Sequence, residues 1–369
     1  MRREDAGQAT RLGPDPSHGG QPGGDPATLD IRGLSIVYRS SLGGVAAVNG
    51  VDLVLRPGEV VGLAGESGSG KSTLAYGIVR LLRPPAVITA GSVLYTGRRT
   101  QGSTIDITKS SAQELRELRW REIAIVFQSA MNALNPVLRI REQLLDGLYA
   151  HTDIRPDEAL SRIGDLVDLV GIPRNRLKSY PHELSGGMRQ RVMIAMALVL
   201  RPEVIIMDEP TTALDVVLQR DILSEIAQLQ EQLGFSILFI THDMSVLLAV
   251  SSRLAIMYAG RLIEVGSSVA IRSTPAHPYT RGLLGCFPPL RGPKRPLTWI
   301  SGSPPDLRHP QPGCPYMPRC PQATAKCSDV DMRLRPTSPD DAGHSSACPF
   351  AIGNSDTFPC EQTHRASPS

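Results

Sequence analysis

Gly65-Glu66-Ser67-Gly68-Ser69-Gly70-Lys71-Ser72 matches the pattern G-x-x-x-x-G-K-[ST] without a gap. The apolar run Val60 to Ala64 stands directly before it, and a helix-forming stretch, Ser72 to Leu82, directly after. That strand–loop–helix order leaves few folds open. Glycines let successive backbone N–H groups turn inward around phosphate oxygens, and the helix N-terminus adds its positive dipole. Lys71 is expected to reach the β- and γ-phosphates of a nucleotide, and the Ser72 hydroxyl to ligate Mg²⁺. The bland alternative is a glycine-rich turn with no ligand, and the flanking strand and helix argue against it.

Other apolar runs, Ala124 to Phe127, Val204 to Met207 and Ser236 to Ile240, are short and nearly continuous. Such runs suit strands buried on both faces, as in a parallel sheet covered by helices. Ile31 to Tyr38 and Val51 to Leu55 also read as strands, with Arg56-Pro57-Gly58 as a turn. Residues 139–200 read as mostly helical, with Pro156, Pro173 and Pro181 as breaks. The run Val204 to Met207 ends in Asp208-Glu209. A carboxylate at the C-terminal end of a buried strand can hold Mg²⁺ through water, and Glu209 is then placed to polarise an attacking water.

A phosphate loop alone leaves GTPases, kinases, helicases and recombinases open. Leu184-Ser185-Gly186-Gly187-Met188, about twenty residues before Asp208, resembles the LSGGQ signature of the ABC ATPases. On that resemblance the remaining features take the family's order. Tyr38 is expected to stack on adenine, Gln128 to be the Q-loop residue beside Mg²⁺, Asp215 to lie in the D-loop after Ala213-Leu214, and His242 to be the switch histidine. The nucleotide would be lined by Gly65, Ser67, Gly68, Ser69, Gly70, Lys71, Ser72 and Thr73. Glu209, His242, Lys71 and Gln128 would carry hydrolysis. Ser185 and the Gly186 and Gly187 amides open a helix, a second anion-binding terminus. In this family two ATPase domains pair head to tail, and each ATP lies between one phosphate loop and the other domain's signature. Met188 departs from the family's usual Gln but leaves the Ser and Gly contacts intact.

His277-Pro278-Tyr279-Thr280-Arg281-Gly282-Leu283-Leu284 and Gly313-Cys314-Pro315-Tyr316-Met317-Pro318-Arg319-Cys320-Pro321 resemble the C-terminal elements of oligopeptide, dipeptide and nickel importer ATPases. The resemblance implies a D-type ATPase on the cytoplasmic face of the cell membrane. Its expected partners are an F-type ATPase, two integral-membrane permeases and an extracytoplasmic substrate-binding protein, with no nucleic acid. Soluble ABC proteins of translation or repair carry two cassettes or a long coiled-coil insertion, and this chain shows one cassette and no heptad run.

All six cysteines and sixteen of the 31 prolines lie past residue 285, too many prolines for continuous helix or central strand. The spacing Cys314-x5-Cys320-x6-Cys327-x20-Cys348 offers four thiols to a segment with little core of its own. Zinc usually uses tighter pairs, and wider gaps suit an iron–sulfur cluster better. The family resemblance implies a [4Fe–4S] cluster, with zinc and unmetallated thiols left open. Cys286 and Cys360 fall outside the pattern. A net charge of +3 names no partner, and no run approaches the ~18 apolar residues of a membrane span. The Gly- and Pro-rich start lacks a signal-peptide apolar core.

The expected architecture is α/β: a P-loop NTPase of the ABC nucleotide-binding type with a helical signature subdomain, plus a small Pro/Cys-rich C-terminal domain. The expected division is a disordered tail over 1–28, the ATPase domain over 29–280, the four-cysteine domain over 281–350 and a flexible tail over 351–369.

Overall fold

The computed structural model describes residues 27–350, apart from 42, 101, 128–132, 212–214, 287–298, 309–311 and 339–340, and apart from the side chains of 99, 341 and 342. Among the described residues there are two sheets. The smaller contains β1 (Leu29–Tyr38), β2 (Val45–Leu55), β4 (Ala86–Tyr95) and β5 (Ile105–Asp106), in the antiparallel order β2-β1-β4-β5. The larger runs β11-β12-β10-β9-β3-β8-β7-β6. Its strands are β3 (Val60–Ala64), β6 (Ile123–Val126), β7 (Val204–Asp208), β8 (Ser236–Ile240), β9 (Arg253–Tyr258), β10 (Arg261–Ser267), β11 (Arg335–Ser338) and β12 (Asp341–Ser346).

Strands β6, β7, β8, β3 and β9 are parallel neighbours. The three continuous apolar runs are therefore strands, as expected for a sheet buried on both faces. On one face, α1 (Lys71–Ile78) is packed between the two sheets, with Leu74 and Ile78 among Ile36, Val48, Leu63 and Val93. The fit is close: a Cβ on Gly77 would lie 2.4 Å from the Ile36 side chain. Helix α2 (Ala112–Leu118) adds Leu115 and Leu118 to this core. The other core holds α3 (Ile140–Tyr149), α4 (Pro156–Leu169), α5 (Gly186–Leu198), α6 (Val216–Leu233) and α7 (Met244–Val250). Pro156 takes the first position of α4, where its missing N–H costs nothing.

Two elements differ from expectation. Strand β2 begins at Val45 and not at Val51, passing through an irregularity at Asn49-Gly50, with Gly50 at φ +64°. Helix α1 ends at Ile78 and not at Leu82, where Arg80 turns to φ +50° and donates its amide to Gly77 O.

The Pro-rich segment does not stand apart from the main sheet. β12 pairs with β10 through Glu264↔Ser346, and Pro336 lies on the edge strand β11, where an absent N–H is tolerated. The buried Glu264 carboxylate ties this corner together. It accepts from the amides of Ala276 and His277 at 2.7 and 2.8 Å and bonds His344 Nε2 at 2.8 Å. After α8 (Ser268–Ser273), His277 caps α9 (Pro278–Gly285), its Nδ1 accepting from the Tyr279 amide at 3.0 Å. Burial holds the pKa of His277 down at about 4, so the ring is neutral near pH 7.

Candidate active site

Parallel strands send their carboxyl ends to one edge, which is where open α/β sheets bind ligands. The loop after β3 is the phosphate loop; β7 ends at Asp208, followed by Glu209; β8 ends at Ile240, just before Thr241-His242. Residues more than a hundred positions apart in sequence thus converge. The registers Leu63↔Ile240 and Asp208↔Ile240 fix the three ends level with one another.

In the loop, Gly65 (φ +155°) and Gly70 (φ +104°) are held by close backbone approach. A Cβ at Gly65 would lie 2.2 Å from Met257 O, and one at Gly70 2.1 Å from Ala47 O. Neither position admits a side chain. Gly68 is also left-handed (φ +78°), with Ser67 and Gly68 exposed and Ser69 buried. Gly70 caps α1 without a side-chain bond, so the first-turn amides are presented to a ligand. Ser72 and Thr73 follow on that first turn.

Lys71 is buried, and its ammonium donates to Gly65 O at 2.8 Å, Glu66 O at 2.9 Å and Ser69 Oγ at 3.4 Å. Burial lowers its pKa, opposed by the Glu209, Asp208 and Glu66 carboxylates. The loop thus closes on its own lysine, and an arriving phosphate offers oxygens in place of those carbonyls.

Asp208 is 1% exposed, and neither carboxylate oxygen accepts a hydrogen bond in regular geometry, although the Ser72 hydroxyl faces it. Burial raises its pKa, the Ser72 hydroxyl opposes the rise, and Glu209 adds to it. A buried carboxylate without partners is costly, and a hydrated Mg²⁺ shared with Ser72 would satisfy it. The donor set fits the ion.

Glu209 has a left-handed backbone (φ +48°), costing about 1–3 kcal/mol for a residue with a Cβ. Its amide donates to Ile240 O at 2.8 Å, and Oε1 lies 3.1 Å from His242 Nδ1. His242 is exposed and Glu209 mostly buried, so the histidine holds the carboxylate from the solvent side. The backbone strain carries no sequence signal beyond the Asp-Glu pair itself.

Tyr38 ends β1 beside α1, its hydroxyl 3.2 Å from Thr73 Oγ1. Ser185 is the exposed N-cap of α5, its hydroxyl accepting from the Met188 amide at 3.3 Å. Gly187 lies where a Cβ would meet Leu218 Cδ1 at 2.7 Å, which keeps α5 close to α6. Asp215 caps α6, its Oδ1 accepting from Val217 and Leu218 at 3.1 and 2.9 Å. Gln128 and the Ala213-Leu214 pair lie outside the described residues.

Cys314, Cys320, Cys327 and Cys348 border one small cavity of about 30 Å³, together with His277 and Tyr316. The Cys314 thiol is pushed up to about 11, chiefly by burial and further by the other three cysteines. The structure therefore brings the four sequence-selected cysteines to one cavity. Among the described residues, no three His, Cys, Asp or Glu side chains are set closely enough to hold a single metal ion. Cys286 is a free thiol capping the C-terminal end of α9, away from that cavity's lining, and Cys360 lies outside the described residues.

Family comparison agrees with this geometry. A model of the family described as "ABC transporter" matches residues 48–212, and one described as "Oligopeptide/dipeptide transporter, C-terminal region" matches residues 263–327. The dipeptide transport ATP-binding protein DppD of Bacillus subtilis (strain 168) is 42% identical over 305 residues, 82% of this chain and 89% of that protein. The oligopeptide transport ATP-binding protein OppD of Escherichia coli (strain K12) is 41% identical over 306 residues, 82% of this chain and 88% of that protein. Among solved structures, the ABC transporter cassette MJ0796, described as dimeric, aligns with a TM-score of 0.56 and 27% identity over 65% of this chain and 98% of that one. The cbiO1 protein of Clostridium perfringens, part of the cbiONQ transporter complex, aligns with a TM-score of 0.57 and 28% identity over 67% of this chain and 91% of that one. With its phosphate loop, strand-end carboxylates and signature helix in one chain, this protein belongs to the ATP-binding proteins of ABC transporters, in the oligopeptide/dipeptide transporter family.

Proposed function

We propose that this chain is the D-type subunit of a peptide importer, spending ATP at the cytoplasmic face of the membrane. The observation that carries the reading is the joint placement of Lys71, Asp208, Glu209 and His242 at one sheet edge of a chain whose C-terminal region is of the peptide-transporter kind. ATP enters with its adenine on Tyr38 and its phosphates on the amides of Gly68, Gly70 and the first turn of α1. Lys71 exchanges Gly65 O and Glu66 O for phosphate oxygens. Ser72, Asp208 and Gln128 would hold Mg²⁺, which supplies neutralising charge beside the β- and γ-phosphates. Glu209 accepts the proton of the attacking water, and His242 keeps its carboxylate in place.

The second half of the ATP site comes from a partner, an F-type ATPase. The N-terminus of α5, with Ser185 exposed, Gly186 half-buried and Gly187 buried, presents amides suited to an anion brought by a partner. Val216 and Val217, next to Asp215, are 66% and 72% exposed, an apolar pair suited to a covered surface. The similar cassette MJ0796 is described as a dimer. Among the described residues no helix is long and apolar enough to cross a membrane, so translocation is assigned to two permeases, fed by a substrate-binding protein.

The four thiols fit a [4Fe–4S] cluster by number and chemistry. What supports a cluster over zinc is the wide sequence spacing of the four cysteines. Cys314, Cys320, Cys327 and Cys348 would hold the group. The role is structural, securing a Pro-rich segment against β10.

Anaerobic affinity purification from native membranes tests both statements. A second ATPase, two permeases and a substrate-binding protein are expected, with iron and sulfide in equal amounts on this chain. Ribosomal or DNA-repair partners would overturn the importer, and zinc without iron would overturn the cluster.

A further inference from the structure

Arg319 stands between Pro318 and Cys320, within the cysteine-bearing segment, yet its guanidinium reaches the phosphate loop. Nη1 donates to Glu66 Oε2 at 2.8 Å and Nη2 to Glu66 Oε1 at 2.9 Å, a bidentate pair. The Arg319 side chain is 6% exposed and that of Glu66 24%. Glu66 is the second residue of the loop, and the C-terminal region grips it twice: its amide also donates to the Tyr279 hydroxyl at 2.9 Å. The same residue's carbonyl accepts from Lys71 at 2.9 Å. A chain of direct contacts therefore runs from Cys320's neighbour, through Glu66, to the lysine that meets the phosphates.

The surroundings leave the guanidinium little freedom. Nε donates to Ser301 O at 2.9 Å and Nη1 to the Tyr258 hydroxyl at 3.2 Å. Tyr258, Tyr279 and Tyr316 pack on one another with ring centroids 4.6–5.4 Å apart, and Arg319 lies over two of those rings. A side chain fixed on so many sides transmits position, and a planar fork on a carboxylate fixes orientation as well as distance. No ATP-site role assigned above uses the Glu66 carboxylate or Arg319, and the sequence alone gives no reason to pair residues 253 positions apart.

We propose that Arg319 is a positioning residue for ATP binding: it holds Glu66, and with it the phosphate loop, so that the nucleotide pocket and the four-cysteine segment are coupled in both directions. Coupling between sites is reciprocal, so ATP on the loop steadies the cysteine segment as much as that segment steadies the loop. The proposal rests on ATP binding by the phosphate loop and not on what the thiols hold. It makes the C-terminal region part of the ATP site, where a mere staple would leave nucleotide affinity alone.

The test uses the full-length chain, a fluorescent ATP analogue and the variants Glu66→Gln, Arg319→Met, Arg319→Lys and the double variant Glu66→Gln/Arg319→Met. Each of the first two is expected to weaken affinity by about 5- to 10-fold. The double variant should be no weaker than the worse of them, because both remove the same contact. Arg319→Lys should recover part of the loss. Glu66→Gln keeps shape at a partly exposed position, so it remains informative if Arg319→Met fails to fold. As a second readout, saturating ATP should slow amide hydrogen exchange across Cys314–Cys320 in the wild type and not in Glu66→Gln. Single-variant affinities within twofold of wild type, losses that multiply in the double variant, or exchange indifferent to ATP would each overturn the proposal. Wild-type titration reports ATP binding itself, which separates this failure from failure of the family reading.

Discussion

Glu209→Gln is expected to lower ATP turnover by on the order of 100-fold or more while leaving ATP binding close to wild type. Glutamine keeps the shape of the side chain and can still bond His242, but it has no charge with which to accept a proton from water. At 1.36 kcal/mol per tenfold, a hundredfold loss is about 2.7 kcal/mol of lost transition-state stabilisation. The geometry makes the separation of effects clean. Glu209 is carried on a left-handed backbone pinned by its amide to Ile240 O, and its side chain donates nothing to the phosphates. Phosphate release by the assembled transporter, measured beside nucleotide affinity, checks it. Unchanged turnover would remove Glu209 from its role.

Lys71→Ala acts on the other term and should abolish nucleotide binding at physiological ATP. The buried ammonium faces Asp208, Glu209 and Glu66, and nothing else in the loop supplies positive charge at that point. Its removal deletes a phosphate contact and leaves the buried Asp208 carboxylate without a neighbouring cation. Losing a charge-assisted phosphate contact is expected to weaken affinity by roughly a hundredfold or more, about 2.7 kcal/mol. Calorimetric titration is the check, and an affinity within a few-fold of wild type would contradict the assigned contact.

What the sequence made legible was local. Gly65 to Ser72 is one continuous pattern, and the apolar runs before it and before Asp208 identify their strands without help from the rest of the chain. Parallel pairing then does what no single motif states, bringing Glu209 and His242 to the same edge as Lys71. The signature helix was legible for the same reason, since its cap Ser185 and first-turn glycines adjoin one another. The four cysteines were legible as a group by spacing, and the structure gathers them around one cavity.

What was hidden is long-range or conformational. The strand expected over Val51 to Leu55 starts earlier, at Val45, because pairing with β1 carries it through Asn49-Gly50. Proline content in the C-terminal segment concealed β11 and β12, which are short and extend the sheet edge at β10. The positive φ of Glu209 depends on the loop's tertiary setting. Glu66 looked like a variable position of the phosphate pattern, because nothing in its neighbourhood points to Arg319.

Coupling of ATP hydrolysis to peptide uptake is decided by measuring hydrolysis in liposomes carrying the complex isolated through this chain, with and without its substrate-binding protein and peptide. Hydrolysis is expected to rise several-fold when peptide-loaded binding protein is present, and to be lost in complexes carrying Glu209→Gln. A rate that ignores peptide and binding protein would contradict that coupling.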